Sequence, residues 1–288
     1  MLGFYNIIKP TGASSAFIVG KVKKAIKQKR VGHMGTLDPA ASGVLTVAVG
    51  KATRFFDYFL NKDKVYFAIA EFGVQTTTLD SEGEVIANSP KSIDIKDIES
   101  NLCKFIGKIE QIPPIYSAIS INGERAYDLA RRGENFEMPK REVDIYDFSL
   151  VRQIDKNKFA FRIHCSAGTY IRTLLFDLAK SLGTVANIPV IIREKSGNFL
   201  LSDAVTIEDL QCEPEKYLLT VQDVFPTLKR VDFKERDCKK VLNGVKIQNS
   251  YSVNENEEFL GYINNELFGL FTCENGEIPC KINLYEGE

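Results

Sequence analysis

Six residues that follow directly on a glycine-rich loop, Val44-Leu45-Thr46-Val47-Ala48-Val49, form a nearly unbroken apolar run. The run is too short for a typical helix and shows no alternation of apolar and polar positions, so it predicts a strand buried on both faces. Such a strand needs cover on each side. Further short apolar stretches read as strands at 4–8, 65–72, 84–87, 143–151, 159–165 and 190–192. Ser14 or Ser15 is placed to cap a helix running to about residue 30, with Ile18, Val22 and Ile26 on one face. Residues 90–106 and 124–133 read as two more helices. Gly168-Thr169 opens another, with Ile171, Leu174, Leu175, Leu178 and Leu182 on one face and Gly183 as its stop, and 206–210 begins a short one. Strands and helices do not alternate as βαβ units, and hairpin-like pairs dominate. The expected class is α+β, a mostly antiparallel mixed sheet flanked by helices. After Phe225-Pro226 the texture changes to short strands, turns and polar linkers, which predicts a small β-rich second unit.

Charge is distributed unevenly. The first 62 residues hold ten lysines and arginines against only Asp38 and Asp57, a net +8 in a chain whose total is −1. Lys21, Lys23, Lys24, Lys27 and Arg30 cover the polar side of the first helix without the interspersed acids that a merely solvated helix uses for i,i+4 pairs. This pattern points to a polyanionic partner, with these five residues as the candidate nucleic-acid contacts.

Other classes are disfavoured. No apolar stretch approaches the length of a membrane span. The N-terminal residues lack the pattern of a secretory leader. Six scattered cysteines without a C-x-x-C pair read as reduced thiols, and a cytoplasmic location is expected. With only His33 and His164 available, no metal site is expected. Gly12, Gly20-Lys21 and Gly50-Lys51-Ala52 all fail the spacing of a phosphate loop.

One acid stands among the cations, in Gly32-His33-Met34-Gly35-Thr36-Leu37-Asp38-Pro39. Taken alone, this is either a turn in which Asp38 bonds its own backbone or a placed reactive group. The extended pattern, through Ala41, Gly43 and Leu45, resembles the catalytic motif of the bacterial tRNA pseudouridine-55 synthase family. Four further segments resemble that family in order. They are Lys9-Pro10-x-Gly12-x-Ser14-Ser15; Lys64-x-Tyr66-x-Ala68 with Phe72-Gly73 and Thr76-x-Thr78-x-Asp80-x-x-Gly83; Pro113-Pro114-x-Tyr116-Ser117-Ala118 with Ala130-Arg131-x-Gly133; and His164-Cys165-Ser166-x-Gly168-Thr169-Tyr170-Ile171-Arg172-Thr173. The resemblance spans about residues 3–200.

It implies the pseudouridine synthase fold over 1–222 and a small PUA-like RNA-binding domain over 226–288. It also implies conversion of uridine 55 in the T-arm of tRNA, with Asp38 as nucleophile, Arg172 as its cationic partner and Tyr66 stacked on the flipped-out base. Tyr170 is then a substrate contact, Ile191 an apolar pocket wall, and His33 the side chain that holds displaced nucleotides. Lys9 and Pro10 are expected to buttress the loop. The reaction breaks the N1–C1′ bond and rejoins the base through C5, so no redox step, energy source or cofactor is required. Independently of the resemblance, Arg172 near a helix start calls for an anion close by. The chain departs from the family at Ile119-Ser120 and at Ile191-Ile192-Arg193, where a lysine and an arginine are replaced, and this bears on RNA affinity. A monomer is expected. The rivals are a synthase acting on another RNA and a tRNA-binding or folding protein with dispensable catalysis. A two-carboxylate glycosidase is poorly supported, because Asp57 lies outside the loop.

Overall fold

The fold was described from a computed structural model covering residues 1–117 and 119–285. Ala118 and the last three residues of the expected C-terminal unit lie outside the described residues. In chain order the first half comprises β1 (Gly3–Lys9), α1 (Ser15–Ile26), β2 (Val31–His33), β3 (Ser42–Val49), α2 (Phe56–Leu60), β4 (Lys64–Phe72), β5 (Val74–Thr76), β6 (Val85–Asn88), α3 (Ile95–Leu102), β7 (Gly107–Gln111), β8 (Ser120–Ile121), β9 (Glu124–Arg125) and α4 (Ala126–Arg131). There follow β10 (Arg141–Asp155), β11 (Lys158–Cys165), α5 (Ile171–Ser181), β12 (Ala186–Ser196), β13 (Phe199–Leu200), α6 (Ile207–Cys212) and α7 (Val221–Val224). The last part holds β14 (Lys229–Asp232), α8 (Glu235–Leu242), β15 (Ile247–Gln248), β16 (Glu258–Ile263), β17 (Glu266–Thr272), β18 (Glu277–Ile278) and β19 (Cys280–Asn283).

Seven strands of the main sheet run in the order β1-β3-β12-β4-β11-β10-β7, with β2 added to β3 and β13 to β12. Every pairing is antiparallel except β3 with β12, which share only two register pairs, Ile192 with Ser42 and Arg193 with Gly43. The expected α+β class and mixed sheet are what the chain forms. A separate four-stranded sheet, β14-β16-β17-β19, makes the C-terminal region β-rich as expected.

β3 is covered on both faces, as its composition requires. Leu45, Val47 and Val49 face a core shared with α1, α3, α5 and α6. Val44 and Ala48 face the opposite way, into a second core with Phe4, Phe55, Phe59, Phe199 and Phe225. That second core also takes Leu260, Leu270 and Leu284 from the C-terminal region, so one apolar seam joins the two parts of the chain.

Several expected boundaries are corrected. α1 stops at Ile26, because Lys27 adopts a left-handed conformation (φ 54°) and donates its N–H back to Lys23 O. Lys27 and Arg30 therefore lie beyond the helix, although all five candidate cations remain exposed. The 90–106 helix shrinks to Ile95–Leu102, with Asp94 accepting from Lys96 N as its cap. The 124–133 helix loses Glu124 and Arg125 to a tight hairpin turning at Asn122-Gly123. The strand expected at 190–192 extends from Ala186 to Ser196. Pro189, which has no N–H, falls in a register irregularity between Asn187 and Val190. The strand Gly107–Gln111 had no clear pattern in the sequence.

Candidate active site

The loop carrying Asp38 is tied down at nearly every residue around it. The Lys9 ammonium, fully buried, donates to the carbonyls of Pro10, Ala13 and Pro39 at 2.8, 2.7 and 3.1 Å. The Ser15 hydroxyl accepts from Leu37 N at 3.0 Å and donates to Leu37 O at 2.9 Å. Gly12 N donates to Pro39 O. Lys9 and Pro10 thus sit as buttresses of this loop.

On the other side, Arg193 of β12 is 2% exposed and donates to Val44 O, Thr36 O and Gly35 O at 2.8, 3.1 and 3.2 Å. Gly43 makes this contact possible. Its φ is +108°, and a Cβ there would lie 2.4 Å from Arg193 O.

Arg172 enters from the start of α5. The N-cap residue, Tyr170, gives that helix no side-chain cap. Instead Gln111 of β7 accepts from Tyr170 N at 3.0 Å and donates to Tyr170 O at 3.4 Å. A guanidinium in the first turn faces the positive end of the helix dipole and needs anions. Arg172 has two. Its Nη2 is 2.5 Å from Asp38 Oδ2, and its Nη1 is 3.3 Å from Asp80 Oδ2. The carbonyls of Thr78 and Tyr116 accept its remaining bonds at 2.9 and 3.2 Å. Asp80 is in turn held by the Thr78 hydroxyl at 2.5 Å and Glu82 N at 3.1 Å. The arginine is 4% exposed, Asp80 7% and Asp38 35%, so Asp38 alone of the three presents its carboxylate to solvent.

That carboxylate opens into a cavity of about 260 Å³. Of the residues expected at the site, Asp38, Tyr66, Tyr170, Arg172 and Ile191 all line it. Tyr66 is 8% exposed, and burial pushes its hydroxyl above the usual range. Burial does the same to Tyr170. Lys64, which also lines the cavity, donates to Lys62 O at 2.6 Å, and burial lowers its ammonium to about 8. Lys9 is lowered to about 8 for the same first reason.

His33 is not among the lining residues. It lies on β2 opposite Val47, half-buried, with Nδ1 lacking a partner. Burial, and then the charge of Arg193, lower its pKa, which favours the neutral ring. Sequence reasoning assigned no role to Asp80 or Arg193. The usable signals were an aspartate in a Thr-x-Asp turn and a helix-start arginine with room for a second anion.

The arrangement is a half-exposed carboxylate, fixed by a buried guanidinium, beside one buried and one half-buried tyrosine in a space of nucleobase size. The sequence pattern of the TruB family pseudouridylate synthases (N-terminal domain) matches residues 23–171. This chain belongs to the TruB family. The tRNA pseudouridine synthase B of Trichormus variabilis is 46% identical over 216 residues, 74% of this chain and 73% of its own. That of Clostridium kluyveri is 40% identical over 252 residues, covering 86% of each chain. That of Caldanaerobacter subterraneus is 35% identical over 281 residues, or 97% and 98%.

Among solved structures, a chain of a Cbf5–Nop10–Gar1 complex superposes with a TM-score of 0.70 at 25% identity, covering 94% of this chain and 78% of the other. A chain of an H/ACA ribonucleoprotein bound to a substrate RNA containing 2′-deoxyuridine gives 0.73 at 21% identity, covering 98% and 85%, a likeness of fold. The TruB fold is therefore the pseudouridine synthase fold, and the family's reaction is an isomerisation.

Proposed function

We propose that this chain converts uridine 55 in the T-arm of tRNA to pseudouridine, acting in the cytoplasm as a monomer without a cofactor. The observation that carries the reading is the Asp38–Arg172 contact at the mouth of a cavity walled by Tyr66, Tyr170 and Ile191. The names of the relatives supply the RNA class.

In this reading the target uridine leaves the RNA stack and enters the cavity, at a cost of a few kcal/mol in lost stacking and pairing. The Tyr66 ring stacks on the base, an interaction worth about 1–3 kcal/mol, and Ile191 forms the apolar wall. Asp38 acts as nucleophile on the nucleotide. Arg172 holds that carboxylate aimed into the cavity, and Asp80 keeps the guanidinium in place. The N1–C1′ bond breaks, the uracil turns, C5 bonds to C1′, C5 loses its proton and N1 gains one. The product is an isomer of the substrate, so nothing else is consumed.

Tyr170 touches the nucleotide from the α5 side, and His33, outside the cavity, holds bases displaced from the RNA loop. Lys21, Lys23, Lys24, Lys27 and Arg30 take the phosphate backbone. Residues 1–222 form the catalytic domain and 226–288 an RNA-binding unit of PUA type.

Tritium release from tRNA labelled at uracil C5, with the product position mapped, tests the proposal. Release at one T-arm uridine by the wild type and none by Asp38→Asn is the expected result. Tight tRNA binding without release from either protein would overturn it.

A further inference from the structure

Three arginines surround the cavity, and two are spent on the protein. Arg172 satisfies Asp38, Asp80 and two carbonyls, and Arg193 satisfies three carbonyls. The third, Arg141, is different. It stands at the start of β10 opposite Gln111, immediately behind the cavity wall. Its guanidinium lies 5.9 Å from the centroid of the Tyr170 ring, and its Nη1 is 3.4 Å from where a Cβ on Gly168 would sit. Both Tyr170 and Gly168 line the cavity. Among the described residues no carboxylate pairs with Arg141, and its Nε is buried without a partner.

A half-buried guanidinium held by a ring face, with its planar fork uncommitted, is arranged for an anion with paired oxygens. If the ligand is RNA, as proposed above, that anion is a phosphate. We propose that Arg141 is a substrate-binding residue that takes a phosphodiester flanking the target uridine and so sets which nucleotide reaches Asp38. This rests on the synthase reading and adds a subsite to it. The contact is made to a non-reacting part of the substrate, and the proposal assigns it to uniform binding, which lowers KM without raising kcat.

The test uses a T-arm stem–loop with a single neutral methylphosphonate in place of the phosphate on either side of the target uridine. With wild type, one of the two positions should raise KM about tenfold, the order of one lost charge-assisted hydrogen bond. Arg141→Ala should raise KM for the unmodified RNA by a similar factor while kcat stays within about twofold. Arg141→Lys should recover part of the loss, as a point charge without the fork. Combining Arg141→Ala with the sensitive methylphosphonate should cost no more than either alone.

Multiplying losses, or an unchanged KM in Arg141→Ala, would overturn the proposal. If Arg141→Ala does not fold, the wild-type arm still decides, because indifference to both neutral phosphates overturns it. Absence of turnover by wild type on the unmodified stem–loop would instead remove the synthase reading beneath it.

Discussion

The cavity and the aromatic seam are two buried regions on neighbouring strands, built on opposite principles. Around the cavity, Lys9, Lys64, Arg172 and Arg193 are all buried cations, and their donors are spent on carbonyls and two aspartates. Burying charge carries a desolvation cost that even well-placed partners only partly offset, so this region holds a geometry at the expense of stability. The seam contains Phe4, Phe55, Phe59 and Phe225 with ring centroids 5.3–6.1 Å apart, mostly edge-on or tilted. It needs no exact placement of any one group and contributes apolar burial. One region positions a carboxylate, and the other holds the C-terminal unit to the sheet.

The contrast can be broken most directly at Asp38. Asp38→Asn should lower turnover by about 10⁴-fold or more and leave the melting temperature and tRNA affinity nearly unchanged. A large loss of stability would mean that the cavity is also a structural hub. The converse change, Phe225→Ala, should cost about 3–5 kcal/mol in denaturant unfolding while kcat at 25 °C is retained. A proportional fall in kcat would show that the seam governs the cavity.

Outside both regions, neutralising Lys23, Lys24 and Lys27 to Gln should weaken tRNA binding and reduce the slope of log K against log salt by about 2–3, read by filter binding across salt concentrations. An unchanged slope would remove α1 from the RNA interface.

The finest test concerns what the cavity's buried charge costs. The folded-state pKa of Lys64 is lowered to about 8 from 10.5. Between these values the unfolded chain binds more protons at this residue, so its contribution to stability rises with pH. It is least favourable below about pH 8. Wild type should therefore gain on Lys64→Met by about 1 kcal/mol per pH unit from pH 8 upward, in paired denaturant titrations. Parallel curves for the two proteins would show that Lys64 carries no such cost.

What was legible in the sequence follows the same division. The positions of Asp38, Tyr66 and Arg172 were readable because their neighbours form ordered motifs, and β3 because no other element accommodates its composition. Asp80 stood inside a quoted motif but was given no role, because its bond to Arg172 spans 92 residues. Arg193 was given no role, since nothing in Ile191-Ile192-Arg193 marks a side chain that reaches back to Thr36. The end of α1 depends on a left-handed Lys27, which no local preference announces. The seam was invisible because Phe55 and Phe59 acquire meaning only beside Phe225 and Leu260.

The Arg193 clasp also governs when this protein first becomes competent. Asp38 lies on one half of the sheet, while Tyr66 and Arg172 lie on or beside the other. The halves meet through two register pairs and three bonds from Arg193. That closure joins residues 157 positions apart. During synthesis at about 5–20 residues per second, the loop bearing Asp38 therefore waits roughly 8–30 s for the side chain that fixes it. A nascent chain stalled before residue 193 carries Asp38, Tyr66 and Arg172, yet lacks the clasp that fixes the loop.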